Sequence, residues 1–329
     1  MAFRLSGVIL FIFFGLALVA PVTAAAEGAR YAVVVQGASG EPQYATLHRG
    51  WVDALKATLK DRLRLDSSHV FVLSEQPTEG ELRGTAENVK TVLARIAKEA
   101  KADDLVFLML IGHGSGDPTA AKFNLVGPDL TAVEWSGLLQ PVAARIVVVN
   151  STSSSFPFLA GLSAKNRVVI TATNSSSQRF HTMFPEAFIQ ALFATEADAD
   201  KNGRISVLEA FTHASKLVAR HYEQDGRLST ETAAIDDTGD GKGRTALVAG
   251  DDGVIAGLTY LDVVSVPTSS DPEVQQLLIR QQAISEQIDD LRRRRPAIPA
   301  EEFDREFEKL IVELSVVSRD IRRKKITEP

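Results

Sequence analysis

The 329-residue chain is 45% hydrophobic and 24% charged, and 36 Lys and Arg stand against 42 Asp and Glu for a net charge of −6. That is a globular composition, long enough for one large domain and a smaller unit, and its acidic balance with 7% aromatics gives no global field that would draw nucleic acid. There is no cysteine, which excludes disulfides, iron–sulfur clusters, thiolate zinc sites and a thiol nucleophile together, and leaves chemistry to oxygen, nitrogen or a metal.

In chain order, residues 1–26 read as an export leader. Arg4 and the free amine give a positive start, 7–20 is almost wholly apolar, and Ala24, Ala25 and Ala26 fit a signal peptidase. The alternative is an uncleaved anchor, since 5–26 carries no charge; Pro21 and the alanines favour cleavage, which implies a secreted or periplasmic protein. Strands are expected at 31–36, 69–74, 105–111, 146–149 and 168–173, all near-continuous apolar runs. Helices are expected at 44–62, 86–101 and 132–139. This alternation predicts an α/β domain over 27–266, a mostly parallel sheet sandwiched by helices, with functional groups at the carboxyl ends of the strands.

Three strand ends carry distinctive residues. The first leads into Gly37-Ala38-Ser39-Gly40, which reads as a flexible turn; the third into Gly112-His113-Gly114-Ser115-Gly116-Asp117; the fourth into Asn150-Ser151-Thr152-Ser153-Ser154-Ser155. Taken singly, His113 is a loop histidine and the hydroxyl run a polar loop or helix cap. Taken together, and with 33–40 reading Val-Val-Val-Gln-Gly-Ala-Ser-Gly, their order and spacing over 31–260 resemble the caspase, legumain and gingipain superfamily of cysteine peptidases, the legumain branch above all. The resemblance implies His113 as catalytic acid/base and Ser151 at the nucleophile position, with Asn150 and Ser154 where that family has Ala and Gly. The cysteine itself is replaced. A serine hydroxyl needs a base in direct hydrogen-bond contact, whereas a thiol does not. The favoured expectation is therefore a degenerate site in a binding or regulatory module. The second is a serine-variant peptidase or amidase using Ser151 and His113, with the Gly114 N–H as oxyanion donor and Thr152 or Ser153 as substitute nucleophiles. A third is a scaffold whose C-terminal helices carry the interactions.

Independently, 198–209 matches the twelve-residue EF-hand calcium loop. Asp198, Asp200 and Asn202 stand at positions one, three and five, and Gly203 at the turn. Arg204 gives its carbonyl at seven, Ser206 stands at nine, and Glu209 is the bidentate ligand at twelve. Flanking helices are expected at 185–194 and 207–222, and the expected cofactor is Ca²⁺. A second acidic loop, 236–243, begins similarly but has Leu247 where the closing Glu would stand. It reads as an incomplete loop or a solvated acidic turn.

Beyond 266 a Pro-Ser-rich linker leads to two helical seams, Val274, Leu277, Gln281, Ile284, Ile288, Leu291 and then Phe303, Phe307, Leu310, Leu314, Val317, Ile321. Spacings of three and four in both predict an antiparallel hairpin over 267–329. It would pack on the α/β domain or pair with another copy or a protein partner.

Overall fold

The computed structural model describes residues 28–116, 120–245, 252–263, 269–295 and 298–327. The expected leader at 1–26, Asp117, Leu247 and the first two linker residues, Pro267 and Thr268, lie outside the described residues. Among the described residues no helix is long and apolar enough to cross a membrane.

The apolar runs at 30–36, 105–111, 145–150 and 167–171 become central strands buried on both faces, and shorter strands flank them. β1 is Arg30–Gln36, β2 Val70–Ser74, β3 Leu82–Arg83, β4 Leu105–Ile111, β5 Gly114–Ser115, β6 Lys122–Phe123, β7 Leu130–Thr131, β8 Arg145–Asn150, β9 Arg167–Thr171 and β10 Ala234–Asp236. Seven of them form one sheet in the order β10-β9-β8-β4-β1-β2-β3, and β5, β6 and β7 form a small ribbon. Every pairing in the large sheet is parallel except β10 on β9. β1 pairs with both β2 and β4, so the chain winds to one side of β1 and then to the other. The resulting switch point lies between β1 and β4, whose ends are in register as Gln36↔Ile111. One strand further, Leu110 lies beside Asn150.

The helices are α1 Pro42–Ala57, α2 Ala86–Glu99, α3 Ala132–Leu139, α4 Phe156–Leu162, α5 Phe184–Ala191 and α6 Val207–Gln224. The continuous helix expected over 44–62 ends at Ala57 and runs on as a wider turn over Thr58–Arg62. Alternate strand residues feed two cores. Val34, Phe107, Met109 and Val149 meet Trp51, Leu55, Phe188 and Phe211 from α1, α5 and α6. Val33, Leu108 and Val148 meet Leu93, Ile96, Trp135 and Phe158 from α2, α3 and α4. A fully buried Val, Leu or Phe among these contributes about 1.5–3 kcal/mol, which fixes strand register against a one-residue slip.

The C-terminal segment forms α7, Pro272–Arg294, and α8, Ala300–Thr327. Asp271 caps α7 through the Glu273 N–H at 2.7 Å, and Pro272 occupies the first turn, where its missing N–H costs nothing. The pair has its own core of Val274, Leu278, Ile284, Ile288, Val317 and Ile321. Leu278, absent from the expected seam, is more deeply buried than Leu277. Gln281 spans the seam to Ser318 Oγ at 2.8 Å. A cleft of about 1500 Å³ between this hairpin and the domain is lined by Arg30, Leu105 and Arg145, the first residues of β1, β4 and β8. The hairpin thus stands at the amino end of the sheet, opposite the strand ends that carry the candidate site.

Candidate functional site

At the switch point β1 passes directly into the glycine turn. Gly37 donates to the Ile111 carbonyl at 2.9 Å, and any Cβ at Gly37 would lie 2.1 Å from the Asn124 carbonyl oxygen, so only glycine permits this approach. Ser39 is buried at the tip. Its hydroxyl bonds to His48 Nδ1 at 3.1 Å, and its backbone carbonyl stands against the His113 ring and favours the charged form there. His113 leaves β4 one residue past Gly112.

Three imidazoles meet here, although only one was anticipated. α1 presents Tyr44, His48 and Trp51 at spacings of four and three, one face of a helix. His113 packs edge-on to Tyr44, with ring centroids 4.9 Å apart, and to His48 at 5.1 Å. His181, from the loop before α5, lies 6.0 Å from His48 and 6.2 Å from His113, and stacks on Trp51 at 5.5 Å. Burial lowers the pKa of all three. For His48 the neighbouring His113 and His181 lower it further, to about 3. Burial thus favours the uncharged form of each ring. The signal for His48 was in the sequence: it shares the periodic face of Tyr44 and Trp51.

The hydroxyl run turns away from these rings. Ser151 is 0% exposed, and its backbone N–H and its hydroxyl both donate to the Leu110 carbonyl, at 3.1 and 2.6 Å. Thr182 Oγ1 donates to the Ser151 carbonyl at 2.6 Å. Thr152 Oγ1 donates to Asn150 Oδ1 at 2.7 Å, and Ser155 Oγ pairs with Thr173 Oγ1 at 3.1 Å. Among the described residues neither Ser151 nor Thr152 bonds to the His113 ring. Ser154 has φ 54°, the left-handed region in which glycine is unstrained. The His113 and Ser151 loops nevertheless touch: a Cβ at Gly114 would lie 2.4 Å from the Ser153 carbonyl oxygen and 3.0 Å from Thr152 Oγ1.

The acidic loop at 198–209 lies elsewhere, between α5 and α6. Carboxylate oxygens of Asp198, Asp200 and Glu209 fall within 4.8 Å of one another. The backbone curls around them: Asn202 and Gly203 donate to Asp198, Ala199 donates to Glu209 Oε1 at 2.8 Å, and Ser206 donates to Glu209 Oε2 at 2.8 Å. Ser206 and Glu209 are also the reciprocal capping box of α6. Where an EF-hand loop pairs with a second loop, this one pairs with the segment at 259–262. Ser206 forms an antiparallel bridge to Tyr260 and Val207 donates to the Thr259 carbonyl at 2.8 Å. Arg204 joins the same segment by a salt bridge to Asp262 at 2.9 Å and by stacking over Tyr260 at 4.1 Å. The entering helix α5 stops at Ala191, short of the expected 194.

The acidic turn at 236–243 is not solvated throughout. Asp236 and Asp237 are each 1% exposed. Asp236 accepts from the Gly239 and Gly241 N–H groups at 2.9 and 3.0 Å, and Asp237 from Gly253 and Ala256 at 2.8 and 2.7 Å. These buried carboxylates satisfy backbone donors of the surrounding loops, a role that composition alone does not reveal.

No family model matches the chain, and no curated protein matches it. Among solved structures it is similar to the Drosophila initiator caspase Dronc, at TM-score 0.41 and 13% identity, covering 67% of this chain and 85% of that one. It is also similar to a secreted C11 cysteine protease of Bacteroides thetaiotaomicron, iotapain, at TM-score 0.40 and 10% identity over 64% of this chain and 67% of that one. A third is Raptor of Chaetomium thermophilum, at TM-score 0.36 and 10% identity over 52% of this chain and 18% of that one.

Proposed function

We propose that the chain is an exported, calcium-binding homologue of legumain- and caspase-like peptidases whose catalytic site is degenerate, and that it acts as a binding or regulatory module. The observation that carries this reading is the Ser151 hydroxyl, which the resemblance puts at the nucleophile position and which donates to the Leu110 carbonyl. A nucleophilic serine needs its proton aimed at a base; this one is aimed at the neighbouring strand. The alignment behind the reading is supported by Ser154, whose left-handed φ falls where the family has glycine, and by the seat of His113 at the switch point, where open α/β sheets gather their ligands. Fold likeness alone does not carry activity.

The calcium role is supported by the three converging carboxylates on a loop with oxygen donors at every EF-hand position. Export rests on the leader sequence. The hairpin offers Ile279, Ile311, Val312 and Val316 on exposed surface, which supports it as the surface for a second copy or a protein partner.

The test is covalent labelling. Wild-type protein should resist serine-directed phosphonates and leave peptide amides intact, while Ser151→Cys should become alkylated more readily if its rotamer turns toward His113. Labelling of wild-type Ser151 that disappears in His113→Ala would overturn the degenerate reading in favour of a serine peptidase.

A further inference from the structure

His48, His113 and His181 reach one place from three separate elements: α1, the loop after β4 and the loop before α5. Sixty-five residues separate the first two and sixty-eight the last two, so no local rule of sequence brings them together. A core that needed only bulk at these positions would be built from phenylalanine or leucine. An imidazole, by contrast, brings a donor and an acceptor, and each needs a partner once water is excluded.

Two of those needs are unmet. His48 is 0% exposed; its Nδ1 is taken by Ser39 Oγ at 3.1 Å, and its Nε2 is buried with no hydrogen-bond partner. His181 Nε2 is likewise buried without a partner.

We propose that His48, His113 and His181 form a binding site for a first-row divalent transition metal of the zinc class. The chain has no thiolate to offer, and imidazole nitrogen selects zinc, cobalt, nickel or copper over calcium or magnesium. Three imidazoles on a tetrahedral ion, with metal–nitrogen bonds of about 2.0–2.1 Å, place ring centroids roughly 5 Å apart. His48 and His113 already stand at 5.1 Å. His181 stands 6.0 and 6.2 Å from them, about 1 Å beyond that spacing, and the proposed site requires its ring to turn off Trp51. Among the described residues, only the acidic loop has its ligand atoms already converged, so the histidine site is completed by that movement. The Ser39 hydroxyl supplies the outer contact: as acceptor of Nδ1–H it leaves the His48 Nε2 lone pair pointing free. The inference concerns the rings alone and holds whether or not Ser151 is inert.

The test uses the full mature chain, stripped with chelator and kept in excess calcium so that the acidic loop is saturated. Titration with Co²⁺ should give one equivalent of tetrahedral ligand-field absorption, displaced by Zn²⁺. Cu²⁺ should quench the fluorescence of Trp51, which stacks on His181, with Trp135→Phe used to remove the only other tryptophan signal. His48→Gln and His181→Gln should each weaken Co²⁺ binding by at least about tenfold, on the scale seen when a supporting shell alone is lost, and Glu209→Gln should leave it unchanged. His181 lies on a loop outside helix and strand, so its variant tests the site even if His48→Gln fails to fold. Absence of stoichiometric binding to the wild type, or full binding by His181→Gln, would overturn the proposal.

Discussion

Glu209 serves two purposes that can be separated by choice of substitution. Its carboxylate closes the 198–209 loop through the Ala199 N–H, and it completes the α6 capping box through the Ser206 N–H. Glu209→Gln keeps an oxygen for the cap and removes the charge that a calcium ion requires, whereas Glu209→Ala removes both. A static calcium loop binds with a dissociation constant of about 10⁻⁴ to 10⁻³ M, so about 10 mM calcium exceeds it roughly ten- to hundredfold and stabilises the native state by about 1.4–2.7 kcal/mol. For a domain of this size each kcal/mol moves Tm by about 2–4 °C, an expected rise of roughly 3–10 °C. Calorimetric or fluorescence melting in chelator and in calcium should show that rise in the wild type and neither variant. In chelator alone, Glu209→Gln should melt close to the wild type, and Glu209→Ala should lose a further amount of about 0.5–1 kcal/mol, the cost of a weakened cap. A wild-type curve indifferent to calcium would refute the assignment; a calcium shift surviving in Glu209→Gln would refute the role given to this carboxylate.

Other expectations follow from particular contacts. Removing 267–329 should leave a soluble α/β domain, because α7 and α8 have a core of their own; aggregation of the truncated protein by light scattering would show that the hairpin covers an apolar face. Gly114→Ala should destabilise the protein by about 1–3 kcal/mol in urea unfolding, the cost of overpacking, since its Cβ meets the backbone oxygen of Ser153; an unchanged midpoint would show that the two loops can part freely. Burial alone would raise the pKa of Glu81, but bonds from Arg49, Lys56, the Thr78 N–H and Ser74 outweigh it and hold the carboxyl well below its usual range. A depressed carboxyl stabilises the fold above its unfolded pKa and ceases to as pH falls through the folded one. Glu81→Gln should therefore cost about 1.5–3 kcal/mol near neutrality, as for hydrogen bonds to charged groups, and progressively less in acid. A pH-independent gap in unfolding free energy would contradict that.

How much of this was readable in advance depends on whether the signal is local. The apolar runs of β1, β4 and β8 were legible because strands buried on both faces need no partner to announce themselves; their observed ends, such as Arg145–Asn150 against an expected 146–149, moved by only one residue. The α3 helix at 132–139 was legible from its place between two strands, and the structure adds the capping box of Thr131 and Glu134. The convergence of Asp198, Asp200 and Glu209 was legible because all three lie within twelve positions of one loop. The histidine cluster was not, since only the winding of the sheet about β1 and β4 brings His113 over α1. Nor could the sequence tell which way the Ser151 side chain points: a serine at a strand end has the same letters whether it faces a cleft or the neighbouring strand. The substitution of Leu278 for Leu277 in the hairpin core has a similar origin, because spacings of three and four fit both residues until the partner helix chooses.

The pairing of the 198–209 loop with Thr259 and Tyr260 has a consequence for how any calcium signal would be read. Paired EF-hand loops share their bridge, so one ion prepares the site for the next. Here the residue opposite Ser206, Tyr260, belongs to a segment whose acidic residue, Asp262, is engaged by Arg204. The bridge gives the loop shape without giving it a cooperating neighbour. Calcium bound as proposed would then fill the loop with a Hill coefficient of one, taking about an 80-fold change in free calcium to pass from one-tenth to nine-tenths full. A loop filled in that way would follow the calcium level of its surroundings as a gradient, with no threshold at which to switch.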